Sequence, residues 1–192
     1  IQLSAMGKDR AWVRQRLHGL IPAAQKRFAR VSVGAQDATR ADLTWLAIFV
    51  REAHALGVQR LRLADTVGIG RPDTVAALVR LCMATAPALP IEFHGHNDLG
   101  LATANALAAA EAGAEALSVT VNGLGERAGN AALEQIVMLL ETHPRLACAI
   151  DGRGLLALCQ KVALASGRPI APDRPIVGDM VFTHESGIHC QA

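Results

Sequence analysis

Pro90-Ile91-Glu92-Phe93-His94-Gly95-His96-Asn97-Asp98 is the stretch on which the reading of this chain turns: an apolar run ending in two histidines one residue apart. In a β-strand, side chains i and i+2 leave the same face, so His94 and His96 project together from the strand's carboxyl end. Two imidazoles flanked by oxygen-bearing side chains make a candidate divalent-metal site. Taken alone, a His-x-His pair is more often incidental than metal-binding, and its weight comes from its surroundings.

Three other short β-type runs share that layout: residues 30–33 (Arg-Val-Ser-Val), 60–64 (Arg-Leu-Arg-Leu-Ala) and 117–121 (Leu-Ser-Val-Thr-Val). With the run at 91–94, their starts are about 30 residues apart, the length of one βα unit. Helical patterns fill the gaps at 41–56, 73–86, 99–112 and 130–141, with an earlier helix over 9–28 interrupted near Pro22 and a last one at 154–166. Asp42 and Asp73 are placed to cap helix N-termini, and Gly57 and Gly113 suit positions just past helix C-termini. The Pro-rich segment 169–175 reads as a linker. Repeated βα units predict an α/β fold with a parallel sheet, in either an open doubly wound form or a closed (β/α)8 TIM barrel. Each strand ends in polar residues: Gln36-Asp37, Asp65-Thr66, His94 and His96, and Asn122. Four successive strands delivering such groups to one rim fit a barrel better than an open sheet with a single crevice. Four strands are half a barrel, whose usual length is roughly 250 residues.

Composition excludes several function classes. The 192 residues suffice for one sizeable core, and although 51% are hydrophobic, no apolar run reaches the roughly 18 residues of a membrane span. The longest, 99–110, contains Thr103 and Asn105 and reads as a buried helix. A net charge of +2 without Lys/Arg clusters, and only 3% aromatic residues, argue against nucleic-acid binding. Cys82, Cys148, Cys159 and Cys190 are too scattered for a disulfide framework, and Cys82 and Cys159 fit core thiols. The start Ile-Gln-Leu-Ser has neither an initiator Met nor a signal-peptide layout, so the expectation is a cytoplasmic protein of which this chain is a piece.

After the fourth strand comes Asn122-Gly123-Leu124-Gly125-Glu126-Arg127-Ala128-Gly129-Asn130. Its glycine spacing is one residue too long for a dinucleotide fingerprint. It reads instead as a tight loop passing close to a ligand, with Asn130 at the next helix's N-terminus and Glu126–Arg127 as a buried ion pair; Arg127 binding a substrate carboxylate is the alternative. Near the end, His184-Glu185-Ser186-Gly187-Ile188-His189 has three residues between Glu and His where the H-E-x-x-H zinc-protease pattern needs two. His189 stays a candidate acid or base.

Three motifs in one order carry a resemblance: His94-Gly-His-Asn-Asp-Leu-Gly100, Asn122 to Asn130, and Phe182-Thr-His-Glu-Ser-Gly-Ile-His189. Together they resemble the acyl-CoA-dependent Claisen-condensing enzymes, namely the homocitrate, 2-isopropylmalate and citramalate synthases of the metal-dependent TIM-barrel lyase superfamily. The likeness spans essentially the whole chain and is nearest to the homocitrate synthases of nitrogen fixation, which also share Val31-Ser-Val-Gly-Ala35.

This resemblance implies that the four strands are the fifth to eighth of the barrel. Residues 1–166 would then be the C-terminal half of a catalytic TIM barrel of pyruvate carboxyltransferase type, and 167–192 a linker or the start of a C-terminal subdomain. It implies a divalent cation, Mg²⁺ or Mn²⁺ with Zn²⁺ as an alternative, held by His94, His96 and Asn130 together with a first-strand Asp that this sequence does not contain. Thr66 matches the family's contact to the substrate carboxylate. His189 matches its catalytic His, often supplied across a homodimer. Gln36 in Gly34-Ala35-Gln36-Asp37 stands where the family usually has Glu, and an amide cannot accept a proton at neutral pH. The implied reaction condenses acetyl-CoA with a 2-oxo acid, 2-oxoglutarate giving homocitrate for nitrogenase cofactor. The alternatives are 2-isopropylmalate or citramalate synthesis, or an inactive half-barrel acting as a binding scaffold. Residues reading the 2-oxo acid's side chain would lie largely on earlier strands.

Overall fold

The computed structural model describes residues 2–183. In chain order the elements are α1 (Gln2–Ala5), α2 (Arg10–Gln25), β1 (Ser32–Ala35), α3 (Leu43–Ala55), β2 (Arg60–Asp65), α4 (Pro72–Thr85), β3 (Ile91–Gly95), α5 (Ala102–Glu111), β4 (Ala116–Ser118), α6 (Leu133–Glu141) and α7 (Leu155–Ser166). The four strands form one sheet in the order β1-β2-β3-β4, every neighbouring pair parallel. This is the α/β arrangement that the βα spacing predicts, each strand returning through a helix on the same side.

Alternation along β2 and β3 separates two environments. Leu61, Leu63, Ile91 and Phe93 are buried and pack with Leu46, Val50, Val75, Val79, Cys82 and Ala106 from the helices. Burying each such Leu, Ile, Val or Phe contributes about 1.5–3 kcal/mol, so this helix-facing layer holds the sheet. The opposite face carries Arg60, Arg62, Glu92 and His94. Glu92 accepts from Arg60 Nη1 at 3.0 Å and pairs with Arg62 Nε. No described helix is long and apolar enough to cross a membrane.

Several local expectations are met. Asp42 caps α3 by accepting from Trp45 N at 2.8 Å, and Gly57 and Gly113 follow α3 and α5 at φ +77° and +108°. Cys82 and Cys159 are buried. Others are corrected. The first strand starts two residues later than its apolar run, at Ser32. The fourth ends at Ser118, because Thr120 leaves the sheet to bridge Ala132 and Asn122 takes a left-handed φ of +58°. Helix α2 runs unbroken through Pro22, the burial of Leu17 and Ile21 outweighing one lost backbone hydrogen bond. Asp73 does not cap α4. Pro72 occupies the first turn, Arg71 is the cap, and Asp73 pairs with Arg71 at 2.9 Å.

Candidate functional site

The polar rim grows from the carboxyl end of β3. His94 lies in register with Ala64 on β2 and Ser118 on β4, and its Nδ1 is 3.1 Å from Ser118 Oγ. His96 Nδ1 is 3.1 Å from the Asp65 carbonyl oxygen. A carbonyl can only accept, so Nδ1 is the donor and Nε2 is the nitrogen that faces away from this bond. The two rings stand edge to face with centroids 4.9 Å apart. Burial first, and the neighbouring His96 second, hold the His94 pKa below the ordinary imidazole value. His94 is therefore kept in the neutral form that donates an electron pair.

Asn130 reaches the same rim by a backbone route. It forms an isolated antiparallel bridge with His96, supported by Asn97 N to Gly129 O at 2.9 Å and Ala131 N to Gly95 O at 3.3 Å. The loop closes on itself where Asn130 N donates to Gly123 O at 3.0 Å. Asn130 is thus not at a helix N-terminus, as its loop motif suggests; α6 begins at Leu133. Its Nδ2 makes one long bond to Leu124 O at 3.4 Å, and its Oδ1 is buried with no hydrogen-bond partner among the described residues. A buried amide oxygen with no donor is costly in an apolar setting and fits a position awaiting a cation or another donor.

Thr66 and Gln36 line one cavity of about 720 Å³ with His94, His96 and Arg62, closed on one side by α1 and α2 residues that include Leu3 and Trp12. Thr66 Oγ1 accepts from Asp37 N at 2.8 Å, which leaves its hydroxyl proton free to donate into the cavity. Gln36 stands exposed at its mouth. His189 lies outside the described residues. Among the described residues no group of three or more His, Cys, Asp or Glu could hold a metal, so any cation site here rests on a mixed His and Asn donor set.

Around this rim, buried polar groups fix the loops. Asp65 is fully buried and accepts from Thr39 Oγ1 at 2.7 Å and Gly70 N at 2.8 Å. Glu134, also fully buried, accepts from Asn122 N at 3.0 Å and from Arg174 Nη2 at 3.4 Å, and Asn122 Nδ2 donates to Cys159 O at 2.9 Å. The Glu126–Arg127 pair is a correction. It measures 3.3 Å but is exposed, and Arg127 is held chiefly by Asp98, at 2.7 and 2.9 Å, and by Thr66 O at 2.9 Å. Arg127 therefore ties three loops together instead of standing free for a substrate carboxylate. Three further polar residues at or near this rim, Ser118, Arg62 and Glu134, belong to none of the sequence motifs. Ser118 and Arg62 were legible as the polar members of alternating runs, whereas a single Glu in a helix carries no signal of burial.

A family model described as HMGL-like matches residues 2–162. The chain is 48% identical over 182 residues to 2-isopropylmalate synthase 2 of Caldanaerobacter subterraneus subsp. tengcongensis, which covers 95% of this chain and 47% of that protein. It is 45% identical over 190 residues to a homocitrate synthase of Frankia alni, covering 97% and 53%. The hydroxymethylglutaryl-CoA lyase of Pseudomonas aeruginosa shares the fold with a TM-score of 0.72 at 23% identity, over 82% of this chain and 56% of that one. The chain spans about half the length of the curated relatives it matches. A four-stranded parallel sheet with this connectivity and this match is a fragment of the TIM-barrel superfamily fold, and the chain belongs to the HMGL-like family.

Proposed function

We propose that the full-length protein is an acyltransferase that condenses acetyl-CoA with a 2-oxo acid, 2-oxoglutarate giving homocitrate, with nitrogenase-cofactor synthesis as its pathway. The protein acts as a cytoplasmic homodimer in this reading. The observation that carries it is the donor set at the rim: two imidazoles each fixed through Nδ1, and the unpartnered Asn130 Oδ1. Those three residues suit a divalent cation such as Mg²⁺ or Mn²⁺, with a further ligand from the preceding half of the barrel. Bound there, the cation would supply Lewis-acid stabilisation of charge developing on the keto oxygen.

The chain's own groups do the rest. Thr66 donates its hydroxyl proton to the substrate carboxylate. Ser118 and Asp65 hold the His94 and His96 rings in orientation. His189 takes a methyl proton from the acetyl group, and Gln36 at the cavity mouth orients a neighbouring group by hydrogen bonding without exchanging a proton. A second reading, 2-isopropylmalate synthesis, is favoured by the 48% identity to a synthase of that name.

The test is release of free CoA from acetyl-CoA by the full-length protein with 2-oxoglutarate, 2-oxoisovalerate or pyruvate. CoA release that needs a 2-oxo acid and stops with chelator supports condensation, and the best acid decides between the readings. Release with none of the three overturns both.

A further inference from the structure

The inner face of β2 presents Arg62, Ala64 and Thr66 in line, at about 6.6 Å per step for alternate residues of a strand. Ala64 is level with His94, and Arg62 is level with Glu92 and Gly34. The arginine therefore sits one layer below the imidazoles, on the floor of the cavity that Thr66, His94 and His96 line. The residues between are small. A side chain at Gly34 would meet nothing within 4 Å, and Ala64 contributes only a methyl group. Open space thus separates the rim from the guanidinium.

Charge on that floor is unbalanced. Two guanidinium groups, Arg60 and Arg62, share the single carboxyl of Glu92. Arg62 engages Glu92 through Nε, and among the described residues its two terminal nitrogens make no hydrogen bond. The acidic residue that lines the cavity, Glu126, is paired with Arg127. Among the described residues one positive charge is left over, in a fork geometry that matches a carboxylate.

We infer that Arg62 is the specificity residue of this site, receiving the distal carboxylate of a dicarboxylic 2-oxo acid whose keto end lies at the His94–Thr66 rim. The inference rests on the condensation reading and narrows it to one substrate class. A 2-oxo acid with a branched apolar side chain would cover the two terminal nitrogens of Arg62 and offer them no acceptor, which disfavours that acid.

The test uses the full-length protein and two arms. In the first, the wild type is offered 2-oxoglutarate and 2-oxopentanoate, which match in chain length and differ in the distal carboxylate. We expect kcat/KM to favour 2-oxoglutarate by about 100-fold or more; equal values, or a preference for 2-oxoisovalerate, overturn the inference. In the second, calorimetry compares 2-oxoglutarate binding to wild type, Arg62→Met and Arg62→Lys. Affinity should fall about 100-fold in R62M, fall less in R62K, which keeps the charge but not the fork, and be unchanged for pyruvate in both. Equal binding of 2-oxoglutarate by wild type and R62M overturns it. Because the first arm needs no variant, a misfolded R62M leaves the decision to it. Absence of CoA release with every acid would overturn the condensation reading, while the calorimetric arm would still decide Arg62.

Discussion

His96 and Asn130, 34 positions apart in the chain, are paired backbone to backbone in an isolated antiparallel bridge. The bridge is made by Asn97 N to Gly129 O and Ala131 N to Gly95 O, and a further bond, Asn130 N to Gly123 O, closes the glycine-rich loop on itself. The position of Asn130 is therefore set by its main chain, and its side chain is left free for other work. Replacing Asn130 by Ala should cost only about 1 kcal/mol of stability, since one long hydrogen bond is lost. Mn²⁺ affinity of the full-length protein should fall by at least about 10-fold. Urea denaturation and metal titration on the same variant check the two halves, and a loss of stability without loss of affinity would count against the donor role.

The same loop makes Gly129 intolerant of a side chain. Its φ is +91°, and a Cβ there would sit inside contact distance of the Gly123 carbonyl oxygen. That oxygen is the acceptor for Asn130 N, so the strain would open the bond that closes the loop. Gly129→Ala should lose more than about 2 kcal/mol in denaturant titration, well beyond Asn130→Ala, although it removes no functional atom.

What the sequence made legible follows from periodicity. The spacing of βα units and the apolar face of each strand give the parallel sheet, because burial enforces the alternation that the eye reads. The pairing of His94 with His96 follows from the same rule. The loops were harder. Asn130 looked like the start of a helix because its motif runs directly into the apolar run of α6, yet the backbone first crosses to His96, a non-local contact that no local pattern encodes. Adjacency in sequence pairs Arg127 with Glu126, yet Asp98, 29 residues away, holds it more closely. Glu134 is fully buried although nothing in its own helix marks it so, since its partners Asn122 and Arg174 come from segments before and after it.

Cysteine reactivity should report the same burial. Removal from water pushes the Cys82 thiol up to about 12, and burial followed by the charge of Glu134 pushes Cys159 up to about 11. A raised thiol pKa means little thiolate at pH 8, and the thiolate is the nucleophile. Native protein treated with iodoacetamide at pH 8 should therefore label at the half-buried Cys148 while Cys82 and Cys159 react only after unfolding. Peptide mass mapping distinguishes these three sites from one another and from Cys190, which lies outside the described residues.

The lowered pKa of His94 gives a pH dependence with a definite sign. Folding favours its neutral form, so its contribution to stability is complete above the ordinary imidazole pKa of about 6.5 and is lost as pH falls below it. NMR titration of the metal-free protein should place the His94 midpoint below 6.5, and unfolding free energy should decline over the same interval. Replacing His94 by Gln, which cannot titrate, should flatten that part of the profile.

Glu134 offers the sharpest separation of structural contributions. Its carboxyl is fully buried, accepts from the Asn122 amide at 3.0 Å, and meets Arg174 Nη2 at 3.4 Å, joining the glycine-rich loop to the segment after α7. Glu134→Ala should cost about 3 kcal/mol, because it leaves the Asn122 N–H without a partner and the mostly buried Arg174 without a counter-charge. Glu134→Gln should cost less, since an amide oxygen still accepts from Asn122. If most of the penalty comes from the stranded guanidinium, adding Arg174→Met to Glu134→Ala should recover part of it, making the double variant less destabilised than the sum of the singles. Additive losses in a denaturant-based double-mutant cycle would instead assign the cost to the Asn122 amide alone, and the Arg174 contact would then contribute nothing to holding the loop.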